Sequence, residues 1–148
     1  MRAGYSSLVA HHGICAIRRV RGDNYCAIRS VVHQLLCHHP LALRDASSDF
    51  KTRVRTLQAT RPGLLQQWSF AGRIAVNNHE ILSKITECHM TLMEEADVFI
   101  RESSTNKRFD MAFQLFSSGE RELRVLEAVK VLMLRLCFMI FSHISCMI

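Results

Sequence analysis

The stretch NNHEILSKITECHMTLMEEADVFI, Asn77 to Ile100, decides the fold class. Ile81, Ile85, Cys88, Leu92, Ala96 and Phe99 recur at intervals of 4, 3, 4, 4 and 3 residues. That period places all six on one side of an α-helix and is incompatible with the twofold alternation of a strand. Asn77 and Glu80 form a capping-box pattern at its start. Outward from this helix the pattern stays helical. Phe109, Phe113 and Phe116 form a shorter apolar stripe that reads as core, stopped at Gly119 as a C-cap. Leu126, Val129 and Met133 mark a last helix expected to run to Leu136. Upstream, Ala27, Val31 and Leu35 lie beside Ile28, Val32 and Leu36, a face wide enough to predict a helix buried on most sides. His38, His39 and Pro40 end it. RDASSDF reads as a turn, RPG as a breaker, and LLQQWSF as a short amphipathic piece ending at Gly72. No strand pattern or repeat competes, so the chain as it stands is expected to be mostly α.

The 148 residues suffice for one domain with a core. The formal charge of +6 collects in Arg18, Arg19, Arg21 and Arg29 and in Arg53, Arg55 and Arg61. Aromatic residues do not interleave with these arginines as a stacking platform for nucleic acid requires, so nucleic acid is not the expected partner. A basic helical module on an acidic partner is the reading that uses charge alone. Six cysteines are scattered without a C-x-x-C pair, and residues 1–13 carry no apolar core long enough for a signal peptide. Free thiols and a cytoplasmic setting are the expectation. Val131 to Ile148 is apolar but spans 18 residues and contains Arg135, which favours a buried helix with an irregular tail over a membrane span. Cys37, His38 and His39, with Cys15, His11 and His12, lack the paired spacing of a zinc site, so neither a metal nor another cofactor is expected.

The chemistry concentrates in RRVRGDNYCAIRS, Arg18 to Ser30. With Asp23 as N-cap, Cys26 falls in the first turn of a helix, where unpaired N–H groups and the positive end of the dipole favour a thiolate. Arg21 and Arg29 are expected to add positive charge. The same N–H groups can hold an oxyanion, and Gly22 permits close approach of a substrate. The competing reading is a cysteine that is merely a small buried hydrophobe.

RVRGDNYCAIR resembles the active-site motif of the otulin family of ovarian-tumour (OTU) deubiquitinases. LLQQWSF and LEAVKVLML (Leu126 to Leu134) are similar to later segments of that family, so the resemblance runs from Ala16 to Leu134. It implies the helical half of an α+β papain-like OTU domain over residues 16–136. Residues 1–15 would be a loose arm, and residues 137–148 an apolar tail outside the family pattern. It implies Cys26 as nucleophile with Asp23 assisting, and Gly22 and Asn24 in the oxyanion and substrate loop. It further implies a cysteine-type ubiquitin hydrolase acting on linear, head-to-tail chains, with linear-chain ligase machinery as a partner. The family's histidine lies far downstream and is followed two residues later by Asn; no histidine here has Asn or Asp at that offset. Truncation and impaired activity are therefore expected, and a fragment that only binds is the alternative.

Overall fold

The computed structural model describes residues 20–71, 74 and 80–145, with side chains to Leu134. Seven α-helices and no strand occur among the described residues, so the chain is mostly α. They are α1 (Cys26–His38), α2 (Pro40–Ala46), α3 (Phe50–Thr60), α4 (Pro62–Gln66), α5 (Ile81–Arg101), α6 (Thr105–Leu115) and α7 (Glu120–Ser145).

α5 and α7 form the central pair. All six stripe residues of α5, Ile81 to Phe99, are buried. α7 is apolar around nearly its whole circumference between Leu123 and Leu132, with Leu123, Val125, Leu126, Ala128, Val129, Val131 and Leu132 all buried. A helix greasy on every side must be covered on every side, and α5, α3 and α1 supply the cover. α2 packs on α5, α6 on α1, and α4 on α3. Full burial of a leucine or phenylalanine side chain stabilises the fold by about 1.5–3 kcal/mol, so this stripe-on-cylinder interface is the main cohesive element.

Local signals set the boundaries. Pro40 and Pro62 each occupy the first turn of a helix, where the missing N–H costs nothing. RPG therefore opens α4 rather than only interrupting the chain. The Ser104 hydroxyl accepts from the Lys107 N–H at 3.4 Å and caps α6. Gly119 adopts φ 73°, the left-handed turn between α6 and α7 that glycine tolerates without strain. Glu80 is the N-cap of α5 and makes no side-chain cap bond; Asn77 lies outside the described residues, as do Gly72 and the end of LLQQWSF expected there.

Three expectations need correction. α1 buries one face, through Val32, Leu36, Cys37 and Arg29, while Ala27 and Val31 are exposed; its neighbours α2, α6, α7 and α5 leave its other side to solvent. The phenylalanine stripe is not core as a whole: Phe116 is buried, Phe109 is at the surface and Phe113 is 60% exposed. α6 packs chiefly against α1 and buries Ala112 and Leu115 instead. Met133 is likewise exposed, and α7 continues to Ser145 rather than stopping at Leu136. No glycine or proline follows Gly119 to break it.

Candidate active site around Cys26

The start of α1 lies two residues later than the sequence expectation. Tyr25, not Asp23, is the N-cap, and it makes no side-chain cap bond. Asp23 acts one step earlier. Its Oδ1 accepts the Tyr25 N–H at 3.0 Å, and its carbonyl accepts the Cys26 N–H at 3.1 Å. This is an Asx turn that delivers the chain into the helix. Cys26 thus stands at the first helical position, exposed, with its own N–H engaged inside the turn. Gly22 and Asn24 are exposed beside it, and a Cβ added at Gly22 would meet only open space.

The arginines do not leave free positive charge at the thiol. Arg29 is buried and grips Asp23 through both carboxylate oxygens, at 2.8 and 2.9 Å. Its Nε donates to Glu122, a fully buried carboxylate on α7. Arg21 reaches the other oxygen of Glu122 at 3.0 Å. Two guanidiniums meet two carboxylates, so the cluster is neutral. The Arg29 hydrogen bond holds the Asp23 carboxyl below its usual range, against a smaller opposing effect of burial, and Asp23 in turn raises the Arg29 pKa. Buried charges are tolerated only when paired and hydrogen-bonded in this way.

A second buried carboxylate lies five residues along α7. Glu127, 1% exposed, accepts from the Tyr25 hydroxyl at 2.7 Å, the Trp68 indole at 3.0 Å, the Ala71 N–H at 3.2 Å and Lys130 at 2.9 Å. Lys130 also lies 4.8 Å from the centre of the Trp68 ring and donates to the Ser69 carbonyl. Burial first, and the Glu127 bond second, push the Tyr25 phenol upward, so it stays a donor. Trp68, left without a role by the sequence, joins the 68–71 segment to this node.

The histidines described here stand elsewhere. The His33 ring faces Phe109 and Phe116 at 5.7 and 5.8 Å between centroids. His38 packs on Phe109 at the far end of α1. His89 stacks on Phe50 at 4.0 Å, and burial holds its pKa below 6.5. Among the described residues no histidine is within hydrogen-bonding distance of the Cys26 sulfur. His11, His12 and His79 lie outside the described residues, as does the His143 side chain. Cys37 is buried within α1, with its sulfur 3.8 Å from the Arg108 carbonyl. Among the described residues no three acidic, histidine or cysteine side chains converge to hold a metal ion.

The described residues are first those of a helical chain that presents an exposed cysteine at the mouth of a helix, beside an ion-paired loop. The chain belongs to peptidase family C101, whose family model matches residues 1–146. This match corrects the family expected from the motif. Peptidase family C101 stands in place of the otulin family of OTU deubiquitinases, and membership supports a peptidase in general rather than an otulin-type activity. No solved structure matches the chain. Among the described residues no helix is long and apolar enough to cross a membrane.

Proposed function

We propose that this chain is a cysteine-type peptidase whose nucleophile is Cys26, with Gly22, Asp23 and Asn24 forming the loop over which a scissile carbonyl would lie. The observation that carries the reading is the exposed Cys26 at the first residue of α1, on a turn locked by Asp23. The Cys26 N–H is already bonded to Asp23, so oxyanion stabilisation falls to other donors at this helix start. The substrate class we propose is a ubiquitin chain, head-to-tail chains included, met in the cytoplasm, with the enzymes that build such chains as partners. These rest on the motif around Cys26.

The absence of a histidine at Cys26 among the described residues favours a second reading, in which the chain binds ubiquitin without turning it over. Losing one member of a nucleophile–base pair costs on the order of 10⁴–10⁶ in rate. The 148-residue chain is therefore expected to cleave linear di-ubiquitin negligibly, while Cys26 is still captured by a ubiquitin bearing a C-terminal electrophile and Cys26→Ala is not. Rapid Cys26-dependent turnover would remove the impaired-enzyme reading. Binding of ubiquitin without capture would leave only the binding module.

A further inference from the structure

Both buried carboxylates of α7 point at the same short loop. Glu122 holds Arg21, which precedes Cys26, and Arg29, which follows it. Through Arg29 it reaches Asp23, whose side chain and carbonyl receive the Tyr25 and Cys26 N–H groups. Glu127 holds the Tyr25 hydroxyl directly. The two glutamates are separated by about 7.5 Å along the helix axis at 1.5 Å per residue. The loop is therefore fastened at two separate heights on α7. Burying two carboxylates is expensive unless each is fully partnered, and an apolar pair would seal α7 equally well. Every partner of Glu122 among its bonds described above belongs to residues 21–29, or is reached through them. That is a costly arrangement for stability alone and a direct one for holding a loop.

We infer that Glu122 and Glu127 are positioning residues for the Cys26 nucleophile, fixing the turn at residues 21–25 from α7 so that the sulfur is presented in one orientation. The inference rests on the reading of Cys26 as the nucleophile. It also assigns Trp68 a role: its indole shares Glu127 with Tyr25, so the 68–71 segment and the nucleophile loop are held by one carboxylate and cannot shift independently.

The test compares Glu122→Gln, Glu127→Gln, Glu127→Ala and Tyr25→Phe in the full 148-residue chain. Tyr25→Phe removes the hydroxyl facing Glu127 without altering α7, so its outcome does not depend on α7 refolding. Amide exchange across residues 21–26 is expected to rise about tenfold in Glu122→Gln, Glu127→Ala and Tyr25→Phe, the effect of losing one buried hydrogen bond. Exchange across residues 85–99 of α5 should stay at the wild-type rate. Glu127→Gln keeps a side-chain oxygen for Tyr25 and should restore most of the protection lost in Glu127→Ala. Capture of Cys26 by the ubiquitin electrophile should fall at least about tenfold in the same three variants, while alkylation by chloroacetamide, which needs only access, should not change. Unchanged exchange at 21–26, or exchange rising equally there and in α5, overturns the inference. A wild-type Cys26 that chloroacetamide alkylates but the ubiquitin electrophile ignores sinks the proposed function instead, and the exchange comparison still decides this one.

Discussion

Two cysteines stand in opposite surroundings. Cys88 sits in the apolar stripe of α5 between Ile85 and Leu92, fully buried against α7. Cys26 sits exposed on a turn where Arg21, Asp23 and Arg29 are all ion-paired. Around Cys88 cohesion comes from area removed from water, which is non-directional. Around Cys26 it comes from a chain of hydrogen bonds with fixed directions, which is costly to bury but specifies one geometry. The fold is thus held by its apolar region and aimed by its polar one. The proposed nucleophile lies where orientation matters more than adhesion.

The largest difference between the regions should appear in thiol reactivity. Burial, helped by the nearby Glu127, pushes the Cys88 thiol from 9.0 up to about 11. That alone lowers its thiolate fraction at neutral pH about a hundredfold, before access is counted. Alkylation at pH 7.5 followed by peptide mapping should label Cys26 at least about a hundredfold faster than Cys88. Comparable rates would erase the distinction on which the site assignment stands.

A smaller effect separates two phenylalanines. Phe99, buried at the end of the α5 stripe, should cost about 3–5 kcal/mol when replaced by alanine. Phe113, mostly exposed on α6, should cost within about 0.5 kcal/mol. Urea denaturation of the two variants measures both. A large loss at Phe113 would restore the continuous phenylalanine stripe to the core.

The smallest effect is in pH. His89 follows Cys88 on α5, and burial holds its folded pKa below 6.5. As pH falls through 6.5 the unfolded chain takes up this proton first, so the His89 contribution to stability declines from there downward. Asp23 is the opposite case in timing. Its folded pKa lies below 3.8, so its pairing with Arg29 contributes above that value and is lost only as pH falls further, through the folded pKa. Denaturation midpoints should therefore soften between pH 7 and 5.5 in a way that His89→Gln abolishes, while Asp23→Asn leaves that window unchanged. The reverse pattern would move the acid-sensitive site to the nucleophile loop.

The apolar region was legible in the sequence and the polar one only half so. The stripe from Ile81 to Phe99 could be read because burial on one face imprints the helical period on residue choice. Phe109 and Phe113 carried the same period but stay 36% and 60% exposed on α6, Phe109 even with His33 and His38 of α1 against it. Period shows which residues share a face, not whether that face is covered. Cys26 and Asp23 were visible through local chemistry, although the N-cap moved to Tyr25 because Asp23 serves a turn rather than the helix. Glu122 and Glu127 were missed, since a glutamate in a helix ordinarily reads as solvated. A signal was present: at about 100° per residue Glu122 falls between Leu126 and Val129 around α7, and Glu127 between Leu123 and Val131, all apolar and buried, so these two glutamates face inward. The contacts from Tyr25 to Glu127 and from Arg29 to Glu122 span 102 and 93 residues, and no local pattern reveals which distant groups a buried acid will meet.

The node at Glu127 also gives the molecule an optical property. Trp68 is the single tryptophan of the chain. Its indole lies between an ammonium over the ring and a carboxylate at the N–H edge. The excited state of indole shifts charge from the pyrrole side toward the benzene ring, so its emission colour and yield follow the local field. Because the same carboxylate holds the Tyr25 hydroxyl, light emitted by Trp68 reports the state of the loop that carries Cys26. The protein comes with its own unlabelled fluorophore, wired to the place where its chemistry would begin.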